Sequence, residues 1–232
     1  LKEVQKELGE SLEKASETYG VESKILAPHA VQEEAKKAFR ERDFQYQRVS
    51  SNLFLLASPL EEHDLSWLYD QLETKSSYKI LALDGVTDAR NGAALLRTAA
   101  FYGVDAVVIS NRGNFGQSPG FFRISSGARE HLAFVQVSSL PKCLKKLEER
   151  NVCCLGLSER GESDAWSEAR KALDRSQPLC LVLGAEDKGL SHAVERALTN
   201  VAKLTPHGPI QSLNVSVAGA IAMEKTFTLK NS

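Results

Sequence analysis

The chain has 232 residues, of which 42% are hydrophobic and 25% are charged, and this composition excludes a disordered chain. Its net charge of −1 shows none of the basic excess typical of nucleic-acid-binding proteins. No apolar run approaches the ~18 residues that a membrane span needs, and no signal-peptide pattern opens the chain. We therefore expect one large domain, or one domain with a smaller partner.

The charge is unevenly distributed. Residues 1–78 have a net charge of −5 and residues 79–232 one of +4. The chain begins with Leu, which we interpret as processing or truncation, so an organellar location stays open beside a cytoplasmic one. The four cysteines, at positions 143, 153, 154 and 180, lack the C-x-x-C spacing of redox or metal motifs, which favours reduced, buried thiols.

The acidic first third shows mainly helical periodicity. Apolar residues spaced three to four apart predict helices over residues 1–20, 31–42 and 61–73, and a short apolar run predicts a strand over 52–57. The Lys75-Ser76-Ser77 stretch is the best candidate for a domain boundary, so we predict an N-terminal region over 1–78 and a second domain over 79–232.

From residue 78 onward, strand-like and helical patterns alternate. Strands are predicted over residues 79–83, 105–110, 131–137, 152–157, 179–183 and 201–204. Helices are predicted over residues 93–102, 140–150, 163–173, 191–197 and 213–227. This alternation predicts an α/β fold with a parallel sheet covered by helices on both faces. In such sheets ligands bind at the carboxyl ends of the strands.

The first candidate loop leads from a strand into a helix at residues 84–103. Asn91 stands where a helix N-cap is expected, and Arg97 follows among apolar neighbours, where an arginine must be paired or line a cavity. The alternative is that Asn91 only caps the helix and Arg97 is a surface side chain.

Two further loops have the same strand-to-helix setting. Gly184 to Gly189 forms a G-x-E-x-x-G pattern around Glu186, for which a plain tight turn is the alternative. The loop at 205–214 places Ser212 and Asn214 at a helix start. Small residues then follow, which permit close helix packing: Ser216, Ala218, Gly219 and Ala220. Capping with tight packing is the alternative explanation of this loop.

Together, the order and spacing of these motifs resemble the SpoU (TrmH-like) RNA 2′-O-ribose methyltransferases of the SPOUT superfamily. Three sequence blocks carry the resemblance: residues 91–99 match N-x-G-A-x-x-R-T-A, 184–191 match G-x-E-x-x-G-L-S, and 212–218 match S-L-N-V-S-V-A. Residues 125–128 also resemble the family's S-x-G-A segment. The chain departs from the family pattern at Ala89, Ala93 and Ala185, where Pro, Gly and Asn are common.

The resemblance implies a parallel α/β domain with a deep C-terminal trefoil knot, an exception to the rule against knotted chains. It also implies S-adenosyl-L-methionine as cofactor, no metal, an RNA substrate (tRNA or rRNA), and a homodimer formed through the knotted domain. The Met223–Phe227 end of the last helix would lie at the dimer interface. The residues implied around the cofactor are Leu183, Gly184, Glu186, Gly189, Leu204, Leu213, Asn214 and Ser216.

For the chemistry, the resemblance implies in-line attack of a ribose 2′-hydroxyl on the sulfonium methyl. Arg97 matches the family's catalytic arginine, and because a guanidinium is a poor base we expect it to bind phosphate and stabilise the developing oxyanion. Asn91 and Ser212 would position ribose or phosphate, while Glu186 and Asn214 complete the catalytic set. Further RNA contacts are predicted at Arg112, Arg123 and Arg129, with solvated surface arginines as the alternative.

Three questions stay open at this stage. The first is whether residues 1–78, which are near the size of the L30e-type RNA-binding domain found in relatives, form a truncated or divergent version of that domain. A knotted relative that binds RNA or cofactor without transferring methyl is one alternative function. A nucleotide-dependent oxidoreductase is another, although the G-x-G-x-x-G fingerprint is missing from the sequence.

Overall fold

The computed structural model describes residues 24–43, 45–46, 56–111, 113–162 and 166–228, with isolated positions at 14, 17, 18, 20 and 22. The chain separates into two compact units, Leu1–Pro59 and Leu60–Ser232. In the first unit, helix α1 (Pro28–Glu41) buries Ala35, Ala38 and Phe39, which confirms the helix predicted over 31–42. The helix predicted over 1–20 and the strand predicted over 52–57 lie mainly outside the described residues.

The second unit is built on a seven-stranded sheet in which every strand pairing is parallel, which confirms the predicted fold class. Its strands are β1 (Glu62–His63), β2 (Lys79–Asp84), β3 (Ala106–Ser110), β4 (Ala133–Val137), β5 (Cys153–Glu162), β6 (Leu179–Gly184) and β7 (Asn200–Ala202). Their spatial order is β1-β4-β3-β2-β6-β5-β7.

Helices cover both faces of this sheet. They are α2 (Leu65–Thr74), α3 (Ala89–Phe101), α4 (Pro119–Ser125), α5 (Leu140–Glu148), α6 (Trp166–Asp174), α7 (His192–Glu195) and α8 (Val215–Phe227), with a 3₁₀ turn at Ala128–His131. Among the described residues, no helix is long and apolar enough to cross a membrane.

Alternation along β2 divides the apolar core into two layers. Leu81 and Leu83 face one cluster, which includes Leu95 of α3 and Met223 of α8. Ile80 and Ala82, which alternate with them, face a second cluster that includes Leu144 of α5. Successive strand side chains point to opposite faces, so a strand buried on both faces reads as a continuous apolar run.

Three elements differ from the sequence-based expectations. The second unit starts at Leu60 and not at the predicted residue 79, because β1 pairs with β4 through Glu62 and Phe134. Helix α4, which Ser118 caps, was not predicted at all. Strand β5 extends to Glu162, because after a register shift beyond Leu157 it pairs with β7 once more, at Glu162 and Ala202.

The cysteines behave as buried thiols. Cys143, Cys154 and Cys180 are buried, Cys153 is half-buried, and all four are free. Burial raises the pKa of the Cys143 thiol to about 12, far above its ordinary range. The Cys143 thiol is therefore protonated at neutral pH, and the buried cysteines pack as small apolar side chains.

Candidate active site

The site lies at the carboxyl ends of β2 and β6, which are neighbours at the centre of the sheet. Asp84 at the end of β2 is in register with Gly184 at the end of β6. The first block follows β2 and enters α3, and the second block follows β6. The third block begins α8, which packs on α3 and β6. All three blocks therefore converge at the edge of the sheet where ligands are expected.

A chain of hydrogen bonds joins the three blocks. Asn91 Nδ2 donates to Glu186 Oε1 at 3.0 Å, and Asn214 Nδ2 donates to Asn91 Oδ1 at 3.1 Å. Asn214 Oδ1 in turn accepts from the Ser216 backbone N–H at 2.9 Å and from the Ser216 hydroxyl at 2.6 Å. We call Asn91, Glu186, Asn214 and Ser216 the polar cluster. It brings together four of the predicted site residues, one or more from each block.

The second block forms a closed turn. The backbones of Ala185 and Gly189 exchange two hydrogen bonds of 2.9 Å, and Gly189 has a positive φ of 65°. A Cβ atom on Gly184 would lie only 2.0 Å from the Gly189 carbonyl carbon, so no larger residue fits there. The block therefore does form a tight turn, as the alternative holds. The turn also places Glu186 in the polar cluster, which the alternative does not explain.

The third block starts α8 and packs it closely against the sheet. Asn214 caps this helix, as its position in the sequence predicted. A Cβ on Gly219 would meet Leu95 Cδ2 at 2.4 Å and Leu183 Cδ1 at 2.8 Å, which explains the need for small residues on this face. Close packing fixes the start of α8, and with it Asn214, relative to β6.

This packing corrects the prediction that the Met223–Phe227 end of the last helix lies at the dimer interface. Met223 is 0% exposed and Phe227 is 5% exposed, because both side chains lie in the core beneath α8. The exposed apolar side chains of the helix are Val217 and Ile221 instead.

Asp88, rather than Asn91, caps helix α3. The Asp88 side chain accepts from the backbone N–H groups of Arg90 and Asn91 at 2.7 and 3.3 Å, and it forms an ion pair with Arg90 at 3.0 Å. Asn91 is thereby displaced into the first turn of the helix, where its side chain is available to the polar cluster. The capping alternative for Asn91 is therefore wrong.

The charge of Asp88 makes this cap sensitive to acid. The hydrogen bond from Arg90 and the backbone hydrogen bonds lower the pKa of Asp88 to about 2, from an ordinary 3.8. Since its folded-state pKa is depressed, the stabilisation is present above pH 4 and is lost as the pH falls toward 2. We expect the Tm difference between the unmodified chain and Asp88→Ala to be constant from pH 5 to 7 and to shrink below pH 4. Thermal melts across this range test it, and a constant difference at pH 3 would contradict it.

Arg97 lies on the exposed face of α3. It makes no hydrogen bond or ion pair with any residue in the described part of the chain. Its exposure agrees with the surface side-chain alternative and not with an internally paired arginine, since its position on the helix points the long side chain to solvent. Its charge is free to meet a ligand from outside.

The remaining predicted cofactor residues differ in exposure. Ser212 and Leu213 are exposed just before the α8 cap, and Leu204 is half-buried after β7. Leu183 is only 1% exposed, because its side chain packs in the core, so only its backbone remains for a ligand.

The three additional arginines have different surroundings. Arg123 is exposed on α4, whereas Arg112 lies outside the described residues. Arg129 is 3% exposed, with its guanidinium 3.8 Å from the Phe134 ring centre and a 3.1 Å hydrogen bond to Gln117 Oε1. Burial lowers the pKa of Arg129. The prediction that Arg129 contacts RNA is therefore wrong. Its side chain instead stabilises the loops before β4, through hydrogen bonds to Gln117 and to the Leu132 carbonyl.

Sequence reasoning also missed a residue. Asp84 Oδ2 accepts from the Ser191 backbone N–H at 2.7 Å, which ties the end of β2 to the end of the second block. The available signal was a single acidic residue directly after an apolar strand. Across the described residues, no group of three or more His, Cys, Asp or Glu side chains is arranged to hold a metal ion.

A parallel sheet with polar residues gathered from three loops at its carboxyl edge defines an α/β protein with a candidate ligand site at that edge. The model of the SpoU rRNA Methylase family matches residues 78–224. The chain belongs to this family, which confirms the resemblance drawn from the three blocks.

Named relatives and solved structures agree with this assignment. The chain is 31% identical over 185 residues to the 23S rRNA (guanosine-2′-O-)-methyltransferase RlmB of Pseudomonas putida, covering 79% of this chain and 73% of the relative. It is 35% identical over 163 residues to the RlmB of Xylella fastidiosa strain 9a5c, covering 70% and 63%.

Among solved structures, a putative TrmH-family RNA methyltransferase from Porphyromonas gingivalis superposes with a TM-score of 0.57 at 27% identity, covering 64% of this chain and 59% of that one. The SpoU methyltransferase AviRb from Streptomyces viridochromogenes, solved with AdoMet, has a TM-score of 0.58 at 22% identity, covering 68% and 60%, and supports the fold alone. This chain spans less than two thirds of both solved chains.

Proposed function

We propose that this protein transfers a methyl group from S-adenosyl-L-methionine to a ribose 2′-hydroxyl of RNA. The observation that carries the proposal is the polar cluster, which unites the three SpoU blocks through the Glu186–Asn91–Asn214 hydrogen bonds. The RlmB relatives act on guanosine of 23S rRNA by name, so ribosomal RNA is the first substrate class to test, and tRNA the second.

The second and third blocks fit an S-adenosyl-L-methionine site. Apart from its two chain neighbours, no atom of the described residues lies within 4 Å of the position that a Cβ on Gly189 would take, so this backbone is open to a ligand. The backbone of the Gly184–Gly189 turn, together with Leu204, Leu213, Asn214 and Ser216, would hold the cofactor. When bound, it supplies an activated methyl group on a sulfonium centre.

The side chains of the site support alignment and charge stabilisation. Glu186 and Asn214 fix both ends of the Asn91 amide, so Asn91 offers a pre-set polar contact to the ribose. The Arg97 guanidinium would stabilise a nearby phosphate and the oxyanion that develops on the 2′-oxygen. Ser212 lies exposed next to this edge and would bind ribose or phosphate. Alignment of this kind can supply much of a barrier reduction.

A homodimer is the assembly we propose. Val217 and Ile221 are 48% and 38% exposed on α8, and Phe101 is 81% exposed on the neighbouring α3. Large exposed apolar side chains on adjoining helices favour coverage by a second copy. The C-terminal trefoil knot and an RNA-binding role for residues 1–78 also stay proposals. A cytoplasmic location is supported by the bacterial origin of the named relatives, whereas the organellar alternative gains no support.

The function is tested by incubating the protein with tritiated S-adenosyl-L-methionine and unmodified transcripts of ribosomal RNA or tRNA. After nuclease digestion, label is expected in a 2′-O-methyl nucleoside. Cofactor binding without label in either RNA would favour the non-catalytic alternative. Thermal stabilisation by NADH and not by S-adenosylhomocysteine would favour the oxidoreductase, since a ligand stabilises the folded state that binds it.

A further inference from the structure

Asp84 holds the far end of the second block. It is the last residue of β2, and Asp84 Oδ2 accepts from the Ser191 backbone N–H at 2.7 Å, across 107 positions of the chain. Ser191 is the last residue of the block, and its hydroxyl caps helix α7, which begins at the next residue. A charge-assisted hydrogen bond of this length is stronger than one between neutral groups.

The turn is thereby held at three separate places. At its base, Gly184 pairs with Asp84 in the sheet and packs against the Gly189 backbone. At its tip, Glu186 is bonded to Asn91. At its exit, Ser191 is bonded to the Asp84 carboxylate. Each of these three constraints has a partner on the β2–α3 side of the site, at Asp84 or Asn91, which couples the turn to the first block.

We propose that Asp84 is a positioning residue that sets the shape of the cofactor-binding turn without touching the reacting atoms. This inference rests on the proposed function. Loss of the carboxylate leaves the Ser191 N–H without its acceptor and frees the exit of the turn. Cofactor affinity then falls, because part of the binding free energy is spent on ordering the turn. The chemical step changes little, since Arg97 and Asn91 stay in place.

The proposal is tested with Asp84→Ala and Asp84→Asn in the full chain. Titration calorimetry with S-adenosylhomocysteine is expected to show a Kd raised roughly tenfold or more in Asp84→Ala, consistent with loss of a hydrogen bond to a charged group. Asp84→Asn keeps an oxygen acceptor and should recover part of this loss. The KM for S-adenosyl-L-methionine should rise in parallel, while kcat at saturation changes less than about twofold, as expected when ground-state and transition-state binding are lost together.

Asp105→Ala is the matched control. The Asp105 carboxylate also accepts a backbone N–H, from Lys79 at 2.8 Å, but at the opposite end of the sheet. Asp105→Ala should lower the Tm and leave the Kd for S-adenosylhomocysteine unchanged. Equal losses of affinity in both alanine variants, or an unchanged Kd in Asp84→Ala, would overturn the proposal.

Hydrogen exchange separates this proposal from the proposed function. Without cofactor, amides of residues 185–191 should exchange faster in Asp84→Ala than in the unmodified chain, because local opening exposes them. Unchanged exchange there would overturn the positioning role even if methyl transfer were confirmed. Faster exchange together with no cofactor binding by the unmodified chain would contradict the proposed function and leave only a structural anchor.

Discussion

Replacing Arg97 with alanine is expected to lower kcat for RNA methylation by about 10²–10³-fold, the usual cost of removing one group that stabilises developing charge. Stability should change by less than about 0.5 kcal/mol, as for other surface substitutions. The reason is that the side chain is exposed and makes no hydrogen bond or ion pair with the described residues, so only an external ligand loses a partner. Single-turnover rates and thermal melts on the same preparations measure both quantities.

Two matched variants sharpen this experiment. Arg97→Lys keeps the charge but loses the planar fork that binds phosphate with two hydrogen bonds, so partial activity is expected. Arg90→Ala removes another exposed arginine of α3, one that is already paired with Asp88, and should retain most of the activity. Comparable losses in the Arg90 and Arg97 variants would indicate a diffuse electrostatic effect and contradict a specific role for Arg97.

The residues of the polar cluster could be predicted because each stands in a short, continuous block. Asn91, Glu186, Asn214 and Ser216 are all polar residues just after apolar strands or at helix starts. The parallel topology brings such positions to one edge of the sheet. What the sequence did not reveal was how they connect, since the hydrogen bonds join residues 95 and 123 positions apart.

The capping prediction for Asn91 and the predictions for Arg129 and the end of α8 were wrong because each depended on a tertiary contact. Asp88 and Asn91 are both good caps, and only the backbone geometry shows that Asp88 accepts the N–H groups. Arg129 resembles a surface arginine until the ring of Phe134 is found beneath its guanidinium. Helix α8 is apolar or small around most of its circumference, so periodicity alone does not show that Met223 and Phe227 face inward. In each case a tertiary contact overrides the local pattern.

The domain boundary predicted at residue 78 coincides with the start of the family model, whereas the compact unit of the structure begins at Leu60. Strand β1 has two residues, Glu62 and His63, and no alternation can be read from so short a segment. Its place depends on pairing with β4 more than 70 residues later, at Phe134 and Val135. The helix that follows, α2, buries Leu68 in the core of the second unit. Residues 60–78 therefore belong structurally with the methyltransferase sheet, although the family model begins at residue 78.

A methyl group added at Gly184 is expected to destabilise the fold and weaken cofactor binding together. The new Cβ in Gly184→Ala would lie 2.0 Å from the Gly189 carbonyl carbon and 2.2 Å from the Leu190 nitrogen. Both atoms are backbone, so no side-chain rotation relieves the overlap. The turn must open, and forced overpacking of this kind costs about 1–3 kcal/mol, or a decrease in Tm of about 2–12 °C for a unit of this size.

Gly116→Ala is the control for this substitution, because within the described part of the chain only its sequence neighbours lie within 4 Å of the new Cβ. Its Tm and its Kd for S-adenosylhomocysteine should stay close to those of the unmodified chain. Gly184→Ala should show both the lower Tm and a Kd raised by more than tenfold, since the displaced backbone carries Glu186 away from Asn91 and breaks the bond that joins the first two blocks. A destabilised variant with unchanged affinity would mean that the turn does not bind the cofactor, and this would move the candidate site away from the second block.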